Sequence, residues 1–467
     1  MIPLGAAIPR GHPHAVSVSL PEWRDIVGYE ENEPRVLDAM QCGYPRFFLH
    51  HFVQELRARY QAVASAGESV WVFPSLRIAD KCVAYVGAGR VQETVDGIAI
   101  ALVPQDKDER AKEFWQHAGL VVSSRQAENI LRKRRPADPA IRETLRQRVA
   151  GLYAADAGDV FLSTCGISAI FTAYEAVTRQ RGTKTIQLGF PYLDTLKIQQ
   201  KFGDGIYVPY TTPDDLAVVE RLVRQGDIAA VFCEVPGNPL LKTIDLKRLQ
   251  GILQPRGVPL IIDDTIGTPL DIDILPYADI VVTSLTKFFS GTGNAMGGSL
   301  VLNRASPLYA TLKEFLRQGE EQLYPDDAAV LLDNNANFQT RMQAINRNAA
   351  QLAAFLRHHP AVARVNYTEG DTAYESIRRA DGGYGGLLSF TLKDETRAPQ
   401  VYDALDVAKG PSLGTSYTLV CPYTLLAHYH ELDWAESCGI SRNLLRVSVG
   451  TEDFDVIKGC FAAALEA

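Results

Sequence analysis

The sequence predicts an α/β protein with a mostly parallel central sheet, a smaller α+β domain toward the C-terminus and an N-terminal arm. Three observations carry this. Short apolar runs recur at 160–162, 185–188, 205–208, 229–233, 259–262 and 280–282. Segments of helical period lie between several of them, as at 214–224 and 245–253. The runs are also apolar on both faces, as strands are when helices cover a sheet on both sides.

The chain has 467 residues, too many for one small core. The expected division is an arm over 1–65, a large domain over 66–320 and a C-terminal domain over 321–467. Within the arm, Pro, His and Gly dominate the start and aromatic residues gather at 44–48. Strands are expected at 70–73 and 82–86, and helical spacing at 127–151. The run Arg132-Lys133-Arg134-Arg135-Pro136 interrupts that spacing and reads as a solvated helix end stopped by proline, not as a nucleic-acid patch. A long helical pattern covers 326–357, strands follow at 387–391 and 445–449, and a helix closes the chain at 454–465.

The formal net charge of −8 gives no electrostatic reason to bind nucleic acid or an anionic membrane. No run of about 18 apolar residues is present, so no membrane span is expected. The first residues lack a charged segment followed by an apolar one, and no secretory signal is expected. Seven scattered cysteines, without a Cys-x-x-Cys pair, fit free thiols in a reducing, cytoplasmic setting. Histidine pairs at His12/His14, His50/His51, His358/His359 and His428/His430 match no metal motif, and no metal is expected.

Ligands of such sheets sit beyond the carboxyl ends of the strands, so the residues just after each run are the candidates for chemistry. After 259–262 comes Asp263-Asp264-Thr265; after 280–282 comes Thr283-Ser284-Leu285-Thr286-Lys287. A lysine amine can form an imine with an aldehyde cofactor. A carboxylate at a pyridine nitrogen keeps that nitrogen protonated, so the ring accepts electrons. The hydroxyls of Ser284 and Thr286 can donate to a cofactor phosphate. A lone strand-end lysine more often makes a surface ion pair, and a lone acid more often caps a helix. The acid and the lysine at successive strand ends favour the cofactor.

These residues resemble the signature of the pyridoxal-phosphate enzymes of cysteine and methionine metabolism. That trans-sulfuration family includes cystathionine γ-synthase, cystathionine lyases, methionine γ-lyase and O-acetylhomoserine sulfhydrylase. The resemblance runs from about Tyr44 to the C-terminus and is weakest between 60 and 155. The segments His14-Ala15-Val16-Ser17-Val18-Ser19-Leu20-Pro21 and Gly43-Tyr44-Pro45-Arg46-Phe47 are most similar to the fungal cystathionine γ-synthase-like branch. The resemblance implies an aspartate-aminotransferase-like fold (fold type I), with pyridoxal 5′-phosphate held by Lys287 as a Schiff base and Asp263 at its ring nitrogen.

It implies further residues. Tyr44 and Arg46 match a Tyr-x-Arg that reaches the neighbouring subunit's cofactor phosphate, so a homodimer or homotetramer with shared sites is expected. Gly166 and Ile167 match a helix start whose N–H groups face that phosphate. Tyr192 matches a tyrosine that stacks on the cofactor and moves protons, which needs a pKa lowered by a nearby cation. Asn238, in Glu234-Val235-Pro236-Gly237-Asn238-Pro239, is placed near the cofactor 3′-oxygen and the substrate carboxylate. Arg446 matches the arginine that binds the substrate α-carboxylate, with Arg442 a lower-ranked neighbour. Thr418, in Ser412-Leu413-Gly414-Thr415-Ser416-Tyr417-Thr418-Leu419, stands where a serine is usual and is expected to orient the lysine or the substrate.

There are departures. Leu193-Asp194 follows the stacking tyrosine where glycine and then cysteine or glycine is usual. Asn294-Ala295-Met296-Gly297-Gly298 lacks the usual aspartate, and Tyr417 replaces a glutamate. The missing cysteine argues against methionine γ-lyase activity. The resemblance implies γ-replacement on an O-acetyl- or O-succinyl-L-homoserine, by cysteine or by a specialised carbon or amine nucleophile. A γ- or β-lyase acting on cystathionine or methionine, and a non-catalytic relative, remain as alternatives.

Overall fold

The computed structural model describes residues 2–179, 181–319 and 323–467. The domain boundary expected between 320 and 321 lies outside the described residues.

A seven-stranded sheet forms the centre. Its strands run in the spatial order Val160–Ser163, Gly298–Leu302, Ile280–Ser284, Leu260–Asp263, Ala230–Glu234, Lys184–Leu188 and Asp204–Val208. All are parallel except Gly298–Leu302, which is antiparallel to both its neighbours. Sequence reading missed this strand, because its apolar stretch is short and begins at a glycine. Gly298 has a physical reason: a Cβ there would meet the Cys165 carbonyl oxygen at 2.2 Å.

Both faces of the sheet are buried, as the two-sided apolar runs require. On one face Val231, Ile262 and Val281 join Leu246, Leu249 and Leu331. On the other Phe232, Ile261 and Ile280 join Ile167, Ile170 and Phe171 of the Gly166–Thr178 helix.

A five-stranded sheet follows, in the order Val362–Asn366, Leu387–Leu392, Leu445–Ser448, Leu419–Pro422 and Ala408–Lys409. The long helix Phe338–His358 and the last helix, Phe454–Glu466, share its core. The single helix expected over 326–357 is two, Pro325–Asn334 and Phe338–His358, with a 3₁₀ turn between them. Asparagines break it: Asn335 Nδ2 donates to the Phe289 carbonyl at 3.1 Å, so the turn serves the loop after Lys287.

Residues 68–104 form a separate three-stranded antiparallel sheet. The strand expected at 82–86 is instead part of the helix Leu76–Val86. Ser75 caps it, Gly87 ends it at φ 75°, and Ile78, Ala79, Cys82 and Val86 form one buried helical face. The basic run begins where the helix Ser124–Leu131 stops, and Arg132 and Arg134 pair with Glu128. Among the described residues no helix is long and apolar enough to cross a membrane, and no cluster of three or more His, Cys, Asp or Glu suits a metal.

Candidate active site

Lys287 stands just past the Ile280–Ser284 strand, in a tight turn. That turn is held from outside. Arg341 Nη2 donates to the carbonyls of Phe288 at 2.8 Å and Phe289 at 2.9 Å. Gly414, at φ 78°, lies so close that a Cβ would meet Phe288 N at 2.4 Å, so only glycine fits. The Lys287 amine donates to Ser412 Oγ at 2.9 Å and lies 4.6 Å from the Tyr44 ring centroid. Burial, with Arg446 and Arg46 nearby, lowers its pKa to about 7.

Beside it is a concave surface of donors. Gly166 and Ile167 open a 13-residue helix and carry N–H groups that the helix itself does not use. A Cβ on Gly166 would come within 2.7 Å of Ser284 Cβ. Ser284, Thr286 and Tyr44 bring hydroxyls to the same place. Arg46, 1% exposed, donates to the Gln116 carbonyl at 2.7 Å, to the Tyr192 hydroxyl at 2.6 Å and to Asp194 Oδ2 at 2.5 Å. Its Nε is buried without a partner among the described residues. Asp194 also lies 3.0 Å from His117 Nδ1, and the two partners hold its carboxyl well below the usual range despite burial.

Two carboxylates end adjacent parallel strands: Asp263 stands opposite Glu234 in the register. Asp263 Oδ1 accepts from Thr265 N at 2.8 Å, and Glu234 accepts from Tyr192 N. Burial pushes both carboxyls up, and Asp263 pushes Glu234 further. Asp264 points the other way, to Tyr153 and Thr283, each at 2.6 Å, and belongs to the core.

Arg446, 7% exposed, donates to the Ser412 carbonyl at 2.8 Å and to Asn238 Oδ1 at 3.4 Å, and lies 4.9 Å from the Tyr423 ring centroid. No ion pair to a carboxylate is found for it among the described residues. Arg442 by contrast is exposed and paired with Asp433 and Glu436.

Comparison with known proteins places the chain. The profile of the family described as "Cys/Met metabolism PLP-dependent enzyme" matches residues 110–466. The chain belongs to this family. A second profile, "Fungal trans-sulfuration enzyme, N-terminal domain", matches residues 49–123. The chain is 33% identical to the cystathionine γ-synthase of Neurospora crassa over 99% of its length and 98% of that protein. It is 35% identical to the L-2-amino-4-chloropent-4-enoate dechlorinase/desaturase of Streptantibioticus cattleyicolor, over 98% of this chain and 97% of that one. A crystal structure of cystathionine γ-synthase from Xanthomonas oryzae pv. oryzae superposes with a TM-score of 0.63 at 24% identity, covering 71% of this chain and 86% of that chain. That likeness supports the fold type I architecture.

The protein is thus a pyridoxal-phosphate-dependent, cystathionine γ-synthase-like enzyme, and its residues fit the cofactor. The orphaned Nε of Arg46, the hydroxyls and the helix N-terminus would hold the phosphate. Asp263, with Glu234 beside it, would face the pyridine nitrogen, and a protonated nitrogen there would offset the burial and mutual repulsion that raise both carboxyls. Lys287, with a pKa of about 7, offers a neutral amine to the aldehyde.

Within the one chain described, Tyr44 and Arg46 lie beside its Lys287 and Tyr192. Two expectations change. Thr418 does not meet Lys287. Its hydroxyl donates to Glu452 at 3.1 Å and accepts from Gly450 N at 3.1 Å, and Ser412 takes the lysine instead. The Tyr192 phenol is not lowered: burial raises it well above its usual value, although Arg46 pulls it down. Glu234, Ser412, Asp194 and His117 were missed as site residues. The first two sit inside motifs singled out in the sequence, and Asp194 was visible as a departure. For His117 the sequence carried no signal.

Proposed function

We propose that this enzyme catalyses γ-replacement on an O-acyl-L-homoserine, with cysteine or a specialised carbon or amine nucleophile as the second substrate. The observation that carries the reading is the pairing, across Ser412, of a buried guanidinium that lacks a carboxylate with a lysine amine of lowered pKa. Arg446 would bind the α-carboxylate of an amino acid and Asn238 would fix its orientation. Bound here, pyridoxal phosphate supplies an electron sink that lets protons leave the substrate carbons. The Lys287 amine, neutral near pH 7, takes the proton from Cα and returns protons along the chain. Tyr192 accepts a hydrogen bond from Arg46 and keeps its phenolic proton under burial, so it would meet the cofactor ring as a neutral phenol. The relationship to the Neurospora crassa cystathionine γ-synthase supports the reaction class.

The test is to incubate the enzyme with O-acetyl- or O-succinyl-L-homoserine, with and without cysteine or a β-keto acid, and to seek a new amino acid by mass. Formation of 2-oxobutanoate and ammonia alone, whatever is added, overturns the reading.

A second reading is γ-elimination without a second substrate. It is favoured by the dechlorinase/desaturase relative, which matches both chains nearly end to end. The same assay without added nucleophile, extended to a γ-chloroalkenyl amino acid, separates the two.

A further inference from the structure

Glu234 is a buried acid to which the chemistry above gives no task. It ends the Ala230–Glu234 strand, 7% exposed, and stands opposite Asp263 at the end of the next strand. Neighbouring strands lie about 5 Å apart, and residues opposite each other in a parallel pair face the same side. Neither acid is in an ion pair among the described residues. Neutral donors hold them instead. Tyr192 N and Asn238 N donate to Glu234, and Thr265 N, at 2.8 Å, and the Thr265 hydroxyl donate to Asp263. The other titratable groups that feel the pair are the phenols of Tyr153 and Tyr423, the Cys233 thiol and the Asp264 carboxyl. Arg446 meets Asn238 Oδ1, at 3.4 Å. Two carboxyls this close in a dry interior do not both ionise, and they titrate as a pair. Burial raises both, and Asp263 raises Glu234 further.

The two acids differ in their access to water. A cleft lies past the ends of the Lys184–Leu188, Asp204–Val208 and Ala230–Glu234 strands. Leu188, Phe190, Tyr207 and Tyr210 wall it, and Glu234 and Asn238 line it. Exposed Thr211 lines it too, so it opens to solvent. Asp263 does not line it. We infer that Glu234 carries the proton of the acid pair in the cofactor-free protein and gives it up through this cleft when a protonated pyridine nitrogen is seated at Asp263. The O–H bond of the Glu234 carboxyl breaks, the proton passes to a water of the cleft, and no electron is transferred. The carboxylate left behind accepts more strongly from the N–H groups of Tyr192 and Asn238. Glu234 is thus a positioning residue: filling the cofactor end of the site firms up the segments that carry the tyrosine and the asparagine. The inference concerns cofactor binding and stands whether the enzyme replaces or eliminates the γ-substituent.

The experiment is infrared difference spectroscopy on the full-length protein at pH 7, with and without pyridoxal phosphate. Adding the cofactor should remove the carbonyl stretch of a protonated carboxyl. Growth on glutamate labelled with carbon-13 at its side-chain carboxyl should shift that band, and in Glu234→Gln the loss should vanish. No lost band, a band that the label leaves in place, or a loss that persists in Glu234→Gln overturns the inference. Stability of the cofactor-free protein gives a second readout. A carboxyl raised on folding keeps its proton longer in the native chain, so stability falls as pH rises from the ordinary carboxylate range to neutrality. Glu234→Gln should make that fall shallower; an unchanged slope overturns the inference. A merely structural acceptor would move neither readout, because the glutamine oxygen still accepts from the two N–H groups. If Glu234→Gln does not fold, the labelled wild-type protein decides alone: a shifted band supports the inference and an unshifted one refutes it.

Discussion

The Lys287 amine donates to Ser412 Oγ at 2.9 Å, while the carbonyl of the same serine accepts from Arg446 at 2.8 Å. One residue thus ties the amine that would move protons to the guanidinium that would bind the carboxylate. Ser412 does this at φ 104°, a conformation in which a side chain is strained and glycine is not.

Ser412→Gly should therefore separate stability from function. It relieves the strained backbone and keeps the carbonyl that Arg446 uses, so thermal unfolding should show a gain of up to about 1 kcal/mol. It removes the hydroxyl that aims Lys287, so kcat should fall about 10-fold while KM stays near wild type. An equal rise in KM would mean that the serine acts mainly through Arg446.

The low lysine pKa sets a pH dependence. Below about 7 the Lys287 amine is protonated and cannot attack an aldehyde; above it the amine is free. Uptake of pyridoxal phosphate by the cofactor-free protein should rise between pH 6 and 8 with a midpoint near 7, followed by absorbance. Stability has the matching sign. Between about 7 and the ordinary lysine value the unfolded chain binds the extra proton, so this group's contribution to the cofactor-free protein becomes more favourable as pH rises. A midpoint near that of a free lysine would show that the site does not depress it.

Asp194→Ala leaves the buried Arg46 without its counter-ion. In the cofactor-free protein this should cost about 3–5 kcal/mol by chemical denaturation. A phosphate bound at Arg46 replaces the lost charge, so added pyridoxal phosphate should raise the Tm of the variant by more than that of wild type. Equal increments would show that Arg46 does not face the phosphate.

The sequence revealed the parts of this site that lie on regular elements. Asp263 and Lys287 follow apolar runs, and a parallel sheet sends such residues to one edge. The Gly298–Leu302 strand escaped because its apolar stretch is short and begins at a glycine, which local composition reads as a turn. Cys82–Val86 read as a strand because a five-residue apolar stretch does not show its period; Leu76–Val86 does. The places of Tyr44, Arg46 and Ser412 depend on contacts between residues far apart in the chain, as between 46 and 192 or 287 and 412. No local pattern encodes those.

Arg446 gives the last prediction. Its guanidinium is buried, hydrogen-bonded at one edge to Ser412 and Asn238, and has no carboxylate of the protein in an ion pair among the described residues. A substrate α-carboxylate satisfies it with two parallel bonds, which lysine cannot reproduce. Arg446→Lys should raise KM for the amino-acid substrate about 10- to 100-fold. The pyridoxal phosphate absorbance and affinity should be unchanged, since Arg46 and not Arg446 would hold the phosphate. Arg442→Lys, at the exposed pair with Asp433 and Glu436, should leave both quantities as they are. Steady-state kinetics on the two variants side by side decides it: a similar KM rise in both would point to a general loss of folding, and a rise in neither would remove Arg446 from the substrate site.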